Sequence, residues 1–334
     1  MNKKAIILIN TGTPDSPDVK SVKKYLKEFL SDGRVINMPY LIRKFLVNFI
    51  IVPFRVKNSA KLYSLIWNEN DSPLLYHSLN LRDKIKQLFD DYEVHIAMRY
   101  GNPSLKKLLN KFNDDNYSEL IFVPLYPQYA SSTTGSVIDL IYSEMKHRDI
   151  IPAIKIIGQF YSKPEFISAF VNNIRQYDIE KYEHVIFSFH GLPVSHIDKI
   201  HPGIIYTNCN CEKEFPGNSN YCYKATCYET ARLIAQECGF SKDSYSVAFQ
   251  SRLTKNWLSP FTDKLIIEKA KSGIKNILIV SPSFVADCLE TLVELEIEYT
   301  KVFKENGGNE LTLVHSLNDS ALWVDALKKI ISGY

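Results

Sequence analysis

Eight short runs rich in β-branched and aromatic residues, at positions 5–9, 94–98, 120–125, 154–157, 184–189, 246–249, 276–281 and 311–314, alternate with longer segments of helical period. A strand that returns to its sheet after a helical crossover does so as a parallel neighbour, so the alternation restricts the chain to βαβ units and parallel sheets. The runs fall four to each half, which predicts one α/β architecture used twice, although no residue-level repeat is visible. Between them, Val19, Val22, Leu26, Phe29 and Leu30 keep helical spacing after an Asp15/Ser16 cap, as do Phe166, Phe170 and Ile174, and Leu322, Leu327, Ile330 and Ile331. The expected division is a first domain over 1–158, a second over 159–319, and a closing helix within 320–334 that packs back across the domains. No low-complexity linker marks the join, which favours a rigid interface with a ligand at the carboxyl ends of the strands.

Composition removes several function classes. Forty Lys and Arg stand against 37 Asp and Glu, a net charge of +3 with no long basic run, so nucleic acid is not an expected partner. The first residues lack a signal-peptide core, and a cytoplasmic location is expected. The most apolar stretch, residues 40–54, is broken by Arg43, Lys44 and Asn48 and is shorter than the roughly 20 residues of a bilayer span; it can lie on a membrane but not cross one. Neither a dinucleotide glycine fingerprint nor a phosphate-binding P-loop occurs. The nearest feature is the hydroxyl run Ser131, Ser132, Thr133, Thr134, Gly135, Ser136, which reads as a helix cap or as an anion site.

Chemistry concentrates at two strand ends. The run at 184–189 leads into His190-Gly191-Leu192-Pro193, which presents an imidazole beyond the end of a strand; it reads either as a proton acceptor near neutral pH or as a buried structural histidine. The run at 276–281 leads into Asp287, Glu290 and Glu294. If a helix begins near Phe284, these three share one face, as a solvated surface or as a functional acidic track.

Several separated motifs, in order, carry a family resemblance: Asn10-Thr11-Gly12-Thr13-Pro14; Arg99-Tyr100; Leu125-Tyr126-Pro127-Gln128-Tyr129 with Ser132-Thr133-Thr134-Gly135; Phe187-Ser188-Phe189-His190-Gly191-Leu192-Pro193; Phe249-Gln250-Ser251-Arg252; Asn256-Trp257-Leu258; and the acidic segment 287–294. The chain resembles ferrochelatase over nearly its whole length. The resemblance implies two similar Rossmann-like domains, each a four-stranded parallel sheet flanked by helices, with an interdomain porphyrin cleft. It implies insertion of Fe²⁺ into protoporphyrin IX to give protohaem. It makes His190 the base or metal-side ligand, Glu290 its counterpart, and Asp287 and Glu294 the rest of an acidic track. Porphyrin contacts would come from Thr11, Arg99, Tyr100, Tyr126 and Trp257. Arg55, Lys57, Ser132 and Thr133 would meet the propionates, and the apolar lip 40–57 would offer peripheral membrane contact.

Two departures stand out. Many family members carry a histidine where this chain has Cys288. Secondly, Cys209, Cys211, Cys222 and Cys227 fall in a C-x-C-x₁₀-C-x₄-C segment, with Pro216 and Gly217 supplying a turn. So dense a set of thiols in a reducing compartment points to a [2Fe–2S] cluster or Zn²⁺, with plain reduced thiols as the alternative. Some ferrochelatases carry a [2Fe–2S] cluster, mostly with ligands near the C-terminus, where this chain has no cysteine. Cys238 reads as a small buried residue. Competing functions are a chelatase for coproporphyrin III or for cobalt, and a non-catalytic porphyrin-binding module.

Overall fold

In the computed structural model, described over residues 3–69, 71–112, 117–200, 209–213, 215 and 221–333, all eight runs are strands. They are β1 Lys3–Asn10, β2 Glu93–Met98, β3 Tyr117–Pro124, β4 Ala153–Ile156, β5 His184–His190, β6 Tyr245–Gln250, β7 Asn276–Val280 and β8 Glu310–Val314. Residues 5–9 of β1 expose no surface, because helices cover both faces of a parallel sheet. Burial of each such Ile or Leu side chain is worth about 1.5–3 kcal/mol.

Two four-stranded parallel sheets result, in the orders β2-β1-β3-β4 and β6-β5-β7-β8. In each, the chain leaves the second-position strand for one edge and then crosses to the other side. The order therefore reverses between β1 and β3 in the first sheet and between β5 and β7 in the second. Such reversals open a crevice at the carboxyl ends of the strands.

The chain divides into one unit of residues 1–126, 130–159 and 319–334 and another of 127–129 and 160–318. The closing helix Ala321–Ser332, capped by the Ser320 hydroxyl, lies on the helix Pro73–Lys86 of the first unit. There Asp319 accepts from His77 at 2.7 Å and from Lys84 at 2.5 Å.

Two local expectations are corrected. The helix Val19–Leu30 is capped by Asp18, whose carboxylate accepts from the N–H groups of Lys20 and Ser21, rather than by Asp15 or Ser16. Ser16 instead bonds Asp18 and Ser21, while Asp15 is drawn away to Lys24 and Asn102. The acidic segment does not become helical at Phe284. Residues 282–288 form an irregular turn, and an i→i+5 bonded π-helix runs over Glu290–Glu298. Asp287 is the cause. It lies before the helix and is bound to the segment after β8: its carboxylate accepts from Ser316 N–H, Asn318 Nδ2 and His315 Nδ1, and its own N–H donates to Asn318 Oδ1.

Residues 40–66 form one helical stretch, with i→i+5 bonding over Leu46–Ile51. Val47, Val52, Val56, Ala60 and Tyr63 turn inward. Leu41, Phe49 and Phe54 turn outward at 76%, 68% and 82% exposure, beside exposed Tyr40 and Phe45.

Candidate functional site

His190 closes β5 at the reversal point of the second sheet. Its N–H donates to Ser283 Oγ in the turn after β7, at 3.3 Å, and its carbonyl accepts from Tyr223 Oη at 2.8 Å. Its Nδ1 lies 2.7 Å from the Gly191 carbonyl. A carbonyl only accepts, so Nδ1 is the donor in this contact, and in the neutral ring the lone pair falls on Nε2. Among the described residues Nε2 has no hydrogen bond. The ring is flanked by Trp257, centroids 6.4 Å apart, and Phe284 at 6.2 Å. Trp257 arrives there because segment 192–194 pairs with 256–258, through Val194 N–H to Asn256 O and Leu258 N–H to Leu192 O, both 2.9 Å. Gly191 is required at this turn: a Cβ would stand 2.7 Å from the Gln250 carbonyl and 3.3 Å from the Trp257 ring.

The end of β6 secures the acidic residues. Gln250, in register with His190, accepts from Ser188 Oγ and donates from Nε2 to the Glu290 carbonyl at 3.0 Å. Ser251, held in the left-handed region at φ 61°, gives both its N–H and its hydroxyl to Glu294, which also accepts from Tyr299 Oη at 2.7 Å. Burial together with the Glu294 charge drives the Tyr299 hydroxyl well above its ordinary value. Burial, with the Glu290 carboxylate adding to it, pushes the Cys288 thiol up, so it stays neutral. Glu290 and Glu294 are both half-buried. Asp287 is 3% exposed and its oxygens are engaged by His315, Ser316, Asn318 and Thr291. Burial works to raise it, and those hydrogen bonds with the His315 charge outweigh this and hold it below the usual carboxylate range.

Cys209, Cys211 and Cys222 are buried, with sulfurs all within 4.8 Å of one another and Cys211 to Cys222 at 3.8 Å. The fourth predicted ligand, Cys227, is not brought into this group: it is buried one turn into the helix Tyr223–Cys238. Burial raises Cys211, Cys222 and Cys227 above the ordinary thiol value, so the bare thiolates are disfavoured without a cation beside them. Buried Lys224 reaches Glu212 at 2.8 Å and the Cys209 carbonyl at 3.4 Å. A soft, thiolate-binding metal fits this pocket. The expected turn at Pro216 and Gly217 lies outside the described residues.

In the first unit, Thr11 follows β1 and Tyr126 follows β3, flanking that sheet's own reversal point, and Thr11 Oγ1 donates to Tyr126 Oη at 3.1 Å. Burial pushes the Tyr126 hydroxyl up to about 12. Arg99 and Tyr100 are drawn into a closed network: Asp32 accepts from Arg99 at 2.6 Å, Tyr100 at 2.9 Å and Ser136 at 2.5 Å. Ser132 and Thr133 are half-buried in a π-helical turn over Ser131–Gly135, and Arg55 and Lys57 are exposed. Sequence reasoning gave no role to Gln250, Ser251, Tyr223, Ser283 or Tyr299. Gln250 and Ser251 lie in one of the family motifs and Tyr223 within the cysteine segment; Ser283 and Tyr299 lie in neither.

Comparisons with known proteins bear on the family and the fold. The family model described as Ferrochelatase matches residues 3–333. A curated Ferrochelatase of Legionella pneumophila (strain Lens) is 42% identical over 334 residues, covering 99% of each chain. One of Coxiella burnetii (strain CbuK_Q154) is 41% identical over 98% of this chain and 93% of that one. Among solved structures, SirB from Bacillus subtilis with Fe³⁺ superposes with a TM-score of 0.55 at 11% identity, covering 99% and 96% of the two chains. The sirohydrochlorin chelatase SirB of Bacillus subtilis subspecies spizizenii with cobalt gives 0.52 at 10%. The structures share the fold; the sequence matches go further, and by them the chain belongs to the ferrochelatase family, enzymes that insert ferrous iron into a porphyrin.

Proposed function

We propose that the porphyrin is protoporphyrin IX, converted to protohaem with release of two protons as the last step of haem biosynthesis, and that His190 is the first proton acceptor. The observation that carries the assignment of His190 is the 2.7 Å contact of its Nδ1 with the Gly191 carbonyl. The Gly191 carbonyl holds the proton on Nδ1, leaving Nε2 as a base at a strand end where parallel sheets bind ligands. Each Fe²⁺ inserted displaces two pyrrole protons, so a base needs an onward acceptor. Glu290 and Glu294, tied to β6 through Gln250 and Ser251, serve as that path and as oxygen donors to the incoming iron. Asp287 holds the turn before them. Trp257 packs beside the base. Thr11, Tyr126, Ser132, Thr133 and Arg55 are the first unit's candidate porphyrin contacts, and Arg99 and Tyr100 brace them from within.

Cys209, Cys211 and Cys222 would hold a [2Fe–2S] cluster or Zn²⁺. Such a centre supplies a crosslink and, in the iron–sulfur case, a redox-active group. The outward apolar face of residues 40–54 gives peripheral contact with a membrane surface; no helix is long and apolar enough to cross one.

The test is a visible absorption spectrum of protein purified without oxygen, before and after protoporphyrin IX and ferrous iron, for the wild type and His190→Ala. Wild type should convert porphyrin bands to haem bands catalytically, while the variant binds porphyrin and turns over about 10²–10⁴-fold slower. Undiminished turnover in the variant removes His190 from the chemistry, and faster turnover of coproporphyrin III reassigns the substrate. Charge-transfer bands before any addition assign [2Fe–2S], and a colourless protein with bound zinc assigns Zn²⁺. A metal-free protein leaves reduced thiols.

A further inference from the structure

We propose that Tyr223 is the positioning residue that holds His190 in its working geometry and ties it to the cysteine pocket. This rests on the reading of His190 as the base.

The Tyr223 ring is buried and its hydroxyl is turned to the His190 backbone. It donates to the His190 carbonyl at 2.8 Å and lies close to Ser283 and Cys227, which bear on it electrostatically. Ser283 is the same side chain that accepts the His190 N–H. The backbone of His190 is therefore held on both sides, its carbonyl by Tyr223 and its N–H by Ser283. The peptide joining His190 to Gly191 is fixed at both poles, its carbonyl by Tyr223 and its N–H by the Gln250 carbonyl at 2.8 Å. Gln250 in turn holds the Glu290 backbone. Tyr223 thus sets the imidazole relative to the acidic residues without touching either.

The same residue stands between two of the cysteines. Cys222 precedes it as the N-cap of the helix Tyr223–Cys238, and Cys227 follows one turn later. Ligation of Cys222, the residue directly before Tyr223, fixes the start of the helix, and with it the phenol that holds His190. Occupancy of the pocket is in this way transmitted to the catalytic turn through one side chain.

The experiment compares wild type, Tyr223→Phe and His190→Ala, each prepared with Zn²⁺ and after chelation. Peptide-level hydrogen exchange over residues 187–194 is read beside kcat and the porphyrin KM. Tyr223→Phe removes one buried hydrogen bond and keeps the ring. It should raise exchange in 187–194 and lower kcat about five- to tenfold with KM unchanged and zinc content undiminished. Chelation should raise the same exchange in wild type and add nothing in Tyr223→Phe. Unchanged exchange and kcat in Tyr223→Phe overturn the proposal, as does chelation acting equally on both proteins. Full turnover by His190→Ala overturns the reading of the base instead, and the exchange data still report whether Tyr223 holds the turn. If Zn²⁺ is not taken up, the link to the pocket falls. A poorly folded Tyr223→Phe would leave the wild-type pair, in which unaltered exchange on chelation also refutes the link.

Discussion

Ser251 grips Glu294 twice, its N–H donating to one carboxylate oxygen at 2.8 Å and its hydroxyl to the other. The residue accepts a left-handed backbone, φ 61°, to do so. Tyr299 adds a third donor at 2.7 Å. All three donors are neutral, so they aim this acid by hydrogen bonding rather than by ion pairing.

Removing one of those donors should loosen the acid more than it harms the fold. Tyr299→Phe is expected to cost about 1 kcal/mol of stability, a melting shift of about 2–4 °C. Glu294→Gln places an amide against three donors and should lower kcat/KM for iron about tenfold or more, with porphyrin affinity unchanged. Iron titrations at fixed porphyrin read this directly; a Glu294→Gln enzyme with wild-type iron kinetics would exclude the acid from the metal's route.

The eight strands were legible because each is a β-branched or aromatic run bounded by turn residues, and burial on both faces leaves little choice of structure. His190 was legible for the same reason, standing at the end of the clearest run. What local pattern could not show was the onset of the acidic helix. Spacing alone aligns Asp287, Glu290 and Glu294, but Asp287 is captured by His315, Ser316 and Asn318, residues about thirty positions downstream that only the fold brings near. Likewise, Arg99 reads as an open cation until Asp32 is found beside it, 67 positions away. The clasp of Gln250 and Ser251 was within a recognisable motif, yet its purpose depends on register between β5 and β6.

Gly191 makes a test of that register. A methyl group there would meet the Gln250 carbonyl at 2.7 Å, and a backbone atom of a central sheet cannot yield cheaply. Gly191→Ala should destabilise by about 1–3 kcal/mol and lower kcat beyond what the lost stability explains, because Gln250 also holds Glu290. Chemical denaturation and turnover at a temperature where both proteins are folded check it. Wild-type stability would mean that the turn relaxes.

The outward face of residues 40–54 predicts reversible membrane association. Replacing Leu41, Phe49 and Phe54 together with serine should abolish co-sedimentation with vesicles while leaving the melting temperature within about 2 °C, since none of the three is buried. Equal vesicle binding by the triple variant would assign the patch another purpose.

The His315–Asp287 pair gives a prediction with a definite sign. The Asp287 hydrogen bond raises the His315 imidazole against the opposing effect of its partial burial. The folded protein therefore holds that proton more tightly than the unfolded chain does. The resulting stability is complete below the ordinary imidazole value near 6.5 and is lost as pH rises through the raised folded value. Asp287 is depressed, so its share is present above the ordinary carboxylate value near 4 and is lost as pH falls through the lowered one. The pair is strongest between those limits, and stability should decline as pH rises from about 6.5 through the raised imidazole value. His315 is half-exposed, so solvent screening keeps the effect to a few tenths of a kcal/mol. His315→Gln keeps a hydrogen bond to Asp287 and discards the titration. Urea midpoints measured from pH 5.5 to 8.5 should slope less in the variant than in wild type; parallel slopes would show that this pair is not what the pH dependence reports.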